Sequence, residues 1–299
     1  MARPIRTRDS IIEDELRARA GDVENILDAN LVSYLGPIDD DIGVASLKSV
    51  LEAIEDEERK ARLVVNFETD GGYVESAERI AGIMRYHYDR VEFVITTYAM
   101  SAGTVLVMSG DRIWMDYSAT LGPIDPQIQA PNGSWLPALG YLEQYERLVD
   151  KSRQGTLTDA ELAFMLEHFD PGELYMYEQA RALSVALVEE WLAQYKFRDW
   201  KTTETRKLIV TEEMRKERAK DIAQMLNDTR RWHSHSRGIS KEVVERELQL
   251  QIEDLDEPSE ERAELRDALV QYNRALFDYR ALRGHDLYVI DSAEGYYGG

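Results

Sequence analysis

Short apolar runs that alternate with helix-like segments constrain the first half of this sequence more than any other feature. Each run has the length and composition of a strand, and each is followed by a break and then by apolar residues at helical spacing. The runs are Asn30–Leu35, Leu63–Phe67, Val91–Ile95 and Ile113–Met115. This alternation is typical of βαβ units in a largely parallel sheet with right-handed crossovers. We therefore predict an α/β fold for residues 30 to about 128.

The remainder of the sequence has a different, mainly helical pattern. After a loop at 130–133, helices are predicted at 139–153, 158–168, 172–195, 211–227, 241–250 and 256–282, and a shorter one precedes the α/β part at 9–20. A short strand is predicted at 286–290, and the last residues, 292–299, are expected to be disordered. The predicted organisation is an N-terminal helical arm at 1–29, a main domain at 30–252, and a charged C-terminal helix with a flexible tail at 253–299.

Charge and composition exclude several classes of protein. The 299 residues are 43% apolar, which is enough for a sizeable core, and 57 acidic against 36 basic side chains give a net charge of −21. Such a charge argues against binding to nucleic acid or to anionic membranes. There is no cysteine, so disulfides and thiolate metal sites are excluded. No apolar run approaches the ~20 residues that span a bilayer. No apolar stretch follows the basic first eight residues, so we expect no signal peptide and a soluble, cytoplasmic protein.

The segment Thr97–Gly103 places a serine between a strand and a helix. Val91–Ile95 leads into it, and a helix-like run of small and apolar residues leads out. Ser101 would then lie at a helix start, where free backbone N–H groups and the helix dipole favour negative charge. A serine there is either a helix N-cap or a nucleophile whose oxyanion is met by backbone donors.

A second turn, at Gly71-Gly72, follows the preceding strand. In a parallel sheet both turns lie at the carboxyl ends of strands, where α/β folds place their sites. Glycine lets the backbone approach a substrate carbonyl closely, so the N–H groups of Gly72 and Ala102 would form a two-donor oxyanion hole. Tyr73 and Val74 either pair with an extended substrate or simply begin the next helix.

Three motifs in this order resemble the serine dehydrogenase proteinase family. They are Y-A-M-S-A-G-T at 98–104, L-G-P-I-D-P-Q at 121–127 and W-H-S-H-S-R at 232–237. This family belongs to the superfamily of the Clp protease proteolytic subunit and signal peptide peptidase A, and the resemblance covers residues 31–252. It implies a crotonase-like (ClpP-like) fold of stacked βαβ units, a Ser101 nucleophile and a ring-like homo-oligomer. Despite the family's name, no dinucleotide fingerprint is present, and we expect no cofactor.

The general base is the open question that this resemblance leaves. The Clp subunit has a catalytic histidine after the strand that follows its nucleophile helix, but residues 119–126 contain none here. In the Clp subunit the third triad residue precedes a strand-turn-helix segment that residues 236–250 resemble, which implies that His235 lies near the site, although it can equally be a buried structural histidine. Lys151 lies in the region from which lysine-dependent relatives draw their base, and Lys196 and Lys207 are further options. For Asp125 three roles are open: to cap a turn, to orient the base or to contact a subunit.

The sequence therefore predicts a serine endopeptidase with a peptide or protein substrate. It leaves open whether an ATPase or another protein partner is needed. A catalytically inactive oligomeric scaffold or adaptor is the alternative, because the histidine at its usual place is missing. Acyl-CoA chemistry is a weaker option, since no basic site for the CoA phosphates is seen. The H-x-H pair of His233 and His235 is a weak metal motif without a nearby third ligand, so no metal site is predicted.

Overall fold

A computed structural model describes residues 7–129, 135–203, 205–285, 288–293 and 295–299; the predicted loop at 130–133 lies outside them. The strands are β1 (Asn30–Leu35), β2 (Arg62–Glu68), β3 (Arg90–Ile95), β4 (Tyr98–Ala99), β5 (Arg112–Met115), β6 (Thr120–Leu121), β7 (Gln127–Gln129), β8 (Trp135–Pro137), β9 (Ile239–Ser240), β10 (Glu253–Asp254), β11 (Val289–Ser292) and β12 (Tyr296–Gly298). The four strands predicted from the apolar runs are therefore confirmed, each within one residue of its predicted ends.

The helices are α1 (Arg8–Leu27), α2 (Ala45–Ala53), α3 (Val74–His87), α4 (Ala102–Val107), α5 (Ala138–Arg153), α6 (Asp159–His168), α7 (Pro171–Trp191), α8 (Glu212–Asn227), α9 (Thr229–Trp232), α10 (Lys241–Arg246) and α11 (Glu260–Arg283). Two π-helical turns, Asp40–Val44 and Leu192–Lys196, adjoin α2 and α7. Thr211 is the N-cap of α8, because its side chain accepts a hydrogen bond from the N–H of Met214. Among the described residues, no helix is both long and apolar enough to cross a bilayer.

The main sheet has the order β10-β5-β3-β2-β1-β11-β12. The strands from β10 to β1 are parallel, and β11 and β12 continue the sheet in antiparallel pairs. Because successive side chains of a strand point to opposite faces, the apolar runs supply two buried faces. One face carries Leu31, Val64, Val94 and Trp114, and the other carries Val32, Val65, Phe93 and Ile113. The predicted α/β class with a largely parallel sheet is confirmed.

Helices from both ends of the chain cover one face of this sheet together. Leu16 and Val23 of α1 and Leu265, Leu269 and Leu276 of α11 are buried in one apolar cluster with the strand residues of that face. On the opposite face, α2, α3, α7 and α8 contribute buried residues to the second apolar cluster. The structure thus differs from the predicted separation into an arm, a domain and a charged helix, since α1 and α11 form one layer of the α/β core.

The predicted flexible tail also differs from the structure. β11 pairs with β1, Leu35 opposite Val289, and β12 pairs with β11. Val289 and Ile290 are buried, so apolar burial and an otherwise open edge of β1 hold the C-terminal hairpin in place. The glycines among the last residues favour flexibility when the sequence is considered alone. The strand with which this segment pairs, β1, lies near the other end of the sequence, so the local pattern does not show the pairing.

The hairpin contains a buried carboxylate, which gives a prediction about stability. Asp291 is 2% exposed, and the hydroxyl of Tyr272 donates to its Oδ2 over 2.6 Å. Burial raises the pKa of Asp291 from 3.8 to about 7. Because the folded chain then keeps a proton that the unfolded chain loses, the free energy of unfolding should fall as the pH rises from about 4 to about 7.

Replacement by asparagine should remove this contribution. We expect Asp291→Asn to flatten the decline between pH 4.5 and 7 and to be more stable than the wild type at pH 8, by on the order of 2–4 kcal/mol. Urea denaturation at several pH values measures this. Asp278→Asn, at an exposed position of α11, is the control and should keep the wild-type slope. An unchanged slope in Asp291→Asn would show that the carboxylate is ionised in the folded protein.

Candidate active site

Ser101 occupies a strained turn between β4 and α4. Its φ is 53° and its ψ is −121°, a combination that residues with a Cβ rarely adopt, and its side chain makes no capping hydrogen bond. The structure therefore shows no N-cap at Ser101. A serine held at an unfavourable backbone conformation between strand and helix, with its side chain half-buried, is the arrangement of a nucleophile turn.

The glycine pair lies against this turn. Gly71 and Gly72 have φ values of 112° and 150°. A Cβ on Gly71 would lie 2.8 Å from the Cβ of Ser101, and one on Gly72 would lie 2.1 Å from the carbonyl oxygen of Ile38. Ile38 holds the pair by donating to the carbonyl of Gly71 and accepting from Tyr73, each over 2.9 Å. Only glycine fits both positions, and the turn touches the serine directly.

The backbone N–H groups predicted as oxyanion donors have no acceptor among the described residues. The N–H groups of Gly72 and Ala102 make no hydrogen bond within the part of the chain that the structure describes. By contrast, the neighbouring N–H of Gly71 donates to the hydroxyl of Thr69, and that of Gly103 to the carbonyl of Met100. The pair predicted as oxyanion donors is thus available for an outside acceptor.

His235 and Asp125 form a buried pair. The Nδ1 of His235 lies 3.0 Å from the Oδ1 of Asp125, although 110 residues separate them in sequence. The Asp125 side chain is fully buried and that of His235 is 10% exposed. The second carboxylate oxygen of Asp125 has no hydrogen-bond partner among the described residues. A carboxylate on Nδ1 fixes the ring and its tautomer, which leaves Nε2 as the basic atom.

A small three-stranded sheet brings this pair and the serine to one place. β4 pairs with β6 in parallel and β6 with β9 in antiparallel, so that Ala99, Leu121 and Ile239 lie side by side. Ser101 follows β4 by two residues, Asp125 follows β6 by four, and His235 precedes β9 by four. Because β9 runs in the opposite direction, all three lie beyond the same end of this sheet.

The two loops that carry the pair are both fixed to the end of α8. The N–H of Ile124 donates to the carbonyl of Leu226 over 3.1 Å, and the indole N–H of Trp232 donates to the carbonyl of Met225 over 2.7 Å. Trp232 is 3% exposed, so it anchors the histidine segment in the core. The relative position of Asp125 and His235 is therefore set by α8 and does not depend on their own contact alone.

Comparison with known proteins finds a family match. Residues 61–163 match the family described as ClpP-like SDH-type serine proteinase. This segment of the chain is similar to that family. It contains the glycine pair, Ser101 and Asp125, and it ends before His235. The resemblance and the ClpP-like fold predicted from the motifs are confirmed.

Relatives and similar structures cover parts of the chain. Two uncharacterized proteins of Methanocaldococcus jannaschii are 34% and 31% identical to it over 42% and 52% of this chain. The matches span 42% and 55% of those proteins, about half of their length. Two mutant structures of 1510-N, a membrane-bound stomatin-specific protease, one with a substrate peptide, are 12% and 13% identical, with TM-scores of 0.35 and 0.36. They cover 54% and 62% of this chain and 57% and 72% of those chains.

The lysines predicted as alternative bases lie elsewhere or have other partners. Within residues 61–163, Lys151 lies on α5, where its Nζ is 2.5 Å from the Oε1 of Glu161 on α6. Burial lowers the pKa of Lys196 to about 8, as a basic lysine requires, but its charged neighbours are Glu253, Arg112 and Asp111. Those residues lie at the amino ends of their strands, the opposite end of the sheet from Ser101. Lys207 is exposed.

The residues predicted to bind substrate or a metal lie at the following places in the structure. Tyr73 is 68% exposed beside Gly72, and Val74 begins α3 and packs against the core. His233 is exposed, with a φ of 62°. Among the described residues, no group of three His, Cys, Asp or Glu side chains is arranged to hold a metal.

The importance of Asp125 was only partly accessible from the sequence. The two prolines around it indicated a constrained turn, and orienting the base was one of its predicted roles. Its contact with His235 depends on β6 pairing with β9, and neither two-residue strand has a periodicity that a sequence pattern could show.

Mutation of the glycine pair tests the close approach of the two turns. Because a Cβ at Gly72 meets a backbone oxygen, Gly72→Ala should displace the N–H of this turn and reduce the rate of reaction with a fluorophosphonate probe by about 10²–10³-fold, as loss of an oxyanion donor does. Gly82→Ala is the control, since nothing lies within 4 Å of its Cβ position on α3. A Gly72→Ala protein that reacts at the wild-type rate would contradict this account of the turn.

Proposed function

We propose that the chain is a serine peptidase in which Ser101 is the nucleophile, His235 the general base and Asp125 the residue that orients it. The observation that carries the proposal is the buried His235–Asp125 pair at the same end of the small sheet as the strained Ser101 turn. It supplies the base that is missing from residues 119–126. It therefore favours the peptidase over the inactive scaffold, since the scaffold hypothesis rested on that absence.

The reaction follows from these positions. The Nε2 of His235 takes the proton of the Ser101 hydroxyl as Oγ attacks the carbonyl carbon of a peptide bond. The N–H groups of Gly72 and Ala102 donate to the oxyanion that forms, and the protonated histidine then gives its proton to the departing amine. Water, deprotonated by His235, attacks the Ser101 ester and releases the second product as a carboxylate. Asp125 accepts the hydrogen bond from Nδ1–H throughout.

In this structure no hydrogen bond joins the Ser101 hydroxyl to His235 among the described residues. Catalytic hydrogen bonds are often long without substrate and shorten when it binds. The proposal therefore requires that substrate binding brings Oγ and Nε2 to within hydrogen-bonding distance.

A fluorophosphonate probe tests the proposed function directly. The wild-type protein should form a covalent adduct, and peptide mass mapping should locate it at Ser101. Hydrolysis of a fluorogenic peptide library should be lost in parallel with labelling. A folded protein that neither reacts with the probe nor cleaves any peptide would favour the scaffold or adaptor.

Self-association is a second proposal, which the resemblance implies and one surface supports. α6 has no buried residue, and the exposed Leu162, Phe164 and Leu166 give it an apolar surface; Tyr175 and Met176 are likewise exposed on α7. We expect a second copy of the chain to cover this surface. Because the net charge of −21 opposes association, added salt should strengthen it.

Light scattering after size-exclusion chromatography measures this. The wild type should be larger than a monomer, and Leu166→Asp should shift the mass towards that of the monomer. Tyr86→Asp, at an exposed apolar residue of α3, should not. A monomeric wild type, or a Leu166→Asp protein of unchanged mass, would contradict the proposed interface. The cytoplasmic location and the need for an ATPase partner stay predictions.

A further inference from the structure

We propose that Thr104 is a positioning residue for catalysis, which acts by fixing the Asp125 loop to the Ser101 turn. This inference rests on the proposed function, because it assigns Thr104 an effect on the His235–Asp125 pair and on Ser101. Thr104 lies in α4, is fully buried, and belongs to the same small-residue segment as Ser101.

One hydroxyl joins the two catalytic loops. The Oγ1 of Thr104 donates to the carbonyl oxygen of Ala99 over 2.7 Å and accepts from the N–H of Gly122 over 2.9 Å. Ala99 ends β4, two residues before Ser101, and Gly122 follows β6, three residues before Asp125. The hydroxyl thus connects the nucleophile turn with the loop that carries the orienting carboxylate.

The contact lies where the backbone pairing of these strands ends. β4 and β6 are two residues long, and their register stops at Ala99 opposite Leu121. Beyond this point no backbone hydrogen bond joins residues 100–104 to residues 122–126 in the described part of the chain. The Thr104 side chain therefore extends the connection past the end of the ladder, at the level where both loops turn towards the site.

The geometry is unlike that of an ordinary helical threonine. A threonine inside a helix usually donates to the carbonyl three or four residues before it, a contact that serves only its own helix. Thr104 instead reaches the carbonyl five residues before it, outside α4, and also accepts from a second loop. Both bonds are buried, so water cannot replace either partner if the hydroxyl is removed.

The test is a double-mutant cycle with Asp125, read by the second-order rate constant of fluorophosphonate labelling. Thr104→Val keeps the shape and removes the hydroxyl, and we expect labelling to slow by about 10–100-fold, the effect of misplacing a catalytic group by about 1 Å. Thr104→Ser keeps the hydroxyl and should restore the rate to within about threefold of the wild type. If Thr104 acts through Asp125, Thr104→Val combined with Asp125→Asn should be no slower than Asp125→Asn alone.

The control is Ser184→Ala, which removes a buried hydroxyl whose one hydrogen bond among the described residues is to the carbonyl of Ala180 in its own helix, and it should label at the wild-type rate. If Thr104→Val does not fold, Thr104→Ala enters the same cycle. Each of three results would overturn the inference. They are rate losses that multiply in the double mutant, a wild-type labelling rate in Thr104→Val, and a failure of Thr104→Ser to restore labelling. An unlabelled wild type would instead overturn the proposed function.

Discussion

Replacement of Ser101 by alanine should abolish covalent labelling by a fluorophosphonate and reduce peptide hydrolysis by on the order of 10⁴–10⁶-fold, as loss of a serine nucleophile does. The hydroxyl is the atom that forms the ester, so no neighbouring group can substitute for it. Single-turnover hydrolysis of a fluorogenic peptide and mass spectrometry of the intact protein measure the two effects.

The fold should survive this substitution, which separates lost chemistry from lost structure. Ser101 makes no capping bond, so Ser101→Ala removes no contact that holds α4. Ser101→Gly should even be more stable than Ser101→Ala, because glycine adopts a φ of 53° without strain. Ser118→Ala, at an exposed serine before β6, is the matched control and should label normally. Undiminished labelling of Ser101→Ala would place the nucleophile elsewhere.

Replacement of His235 should have the second largest effect. His235→Ala removes the proposed base, so labelling should slow by about 10³–10⁶-fold, whereas Asp125→Asn should cost about 10²–10⁴-fold, because it leaves a base with the wrong tautomer. Lys151→Ala should change the rate by less than about threefold, because it breaks only a half-exposed ion pair with Glu161 of α6.

The pH dependence gives a further readout for these variants. If His235 is the base, labelling of the wild type should rise with pH in a single step, and this step should disappear in His235→Ala. His233→Ala, at an exposed histidine two residues away, is the matched control and should retain the step. A silent His235→Ala together with a slow Lys151→Ala would assign the base to lysine, and two silent variants would contradict both assignments.

The central strands could be predicted because their apolar runs are continuous. β1 begins and ends at the predicted residues, since a parallel strand buried on both faces has no polar interruptions. The C-terminal hairpin was predictable only in part, because a short strand is predicted at 286–290 whereas β12 lies in the stretch expected to be disordered. Val289 and Ile290 form a short apolar run beside glycines, and only the open edge of β1, more than 250 residues earlier, makes it a strand.

The candidate site, too, could be predicted only in part from the sequence. Ser101 and the glycine pair are predictable because strand, small-residue turn and helix follow one another locally, and the positive φ of all three residues suits such turns. The contacts between His235 and Asp125 and between Thr104 and Gly122 join loops that are distant in sequence. They become visible only when β4, β6 and β9 are aligned, and those strands are too short to carry a pattern.

The most direct measurement of the central claim is a crystal structure of the phosphonate adduct. The account predicts that phosphorus is bonded to the Oγ of Ser101 and that the Nε2 of His235 lies within about 3 Å of it or of an adduct oxygen. The N–H groups of Gly72 and Ala102 should both donate to the phosphonyl oxygen. An adduct at Ser101 with a lysine ammonium at this position, and His235 turned away from it, would contradict the account.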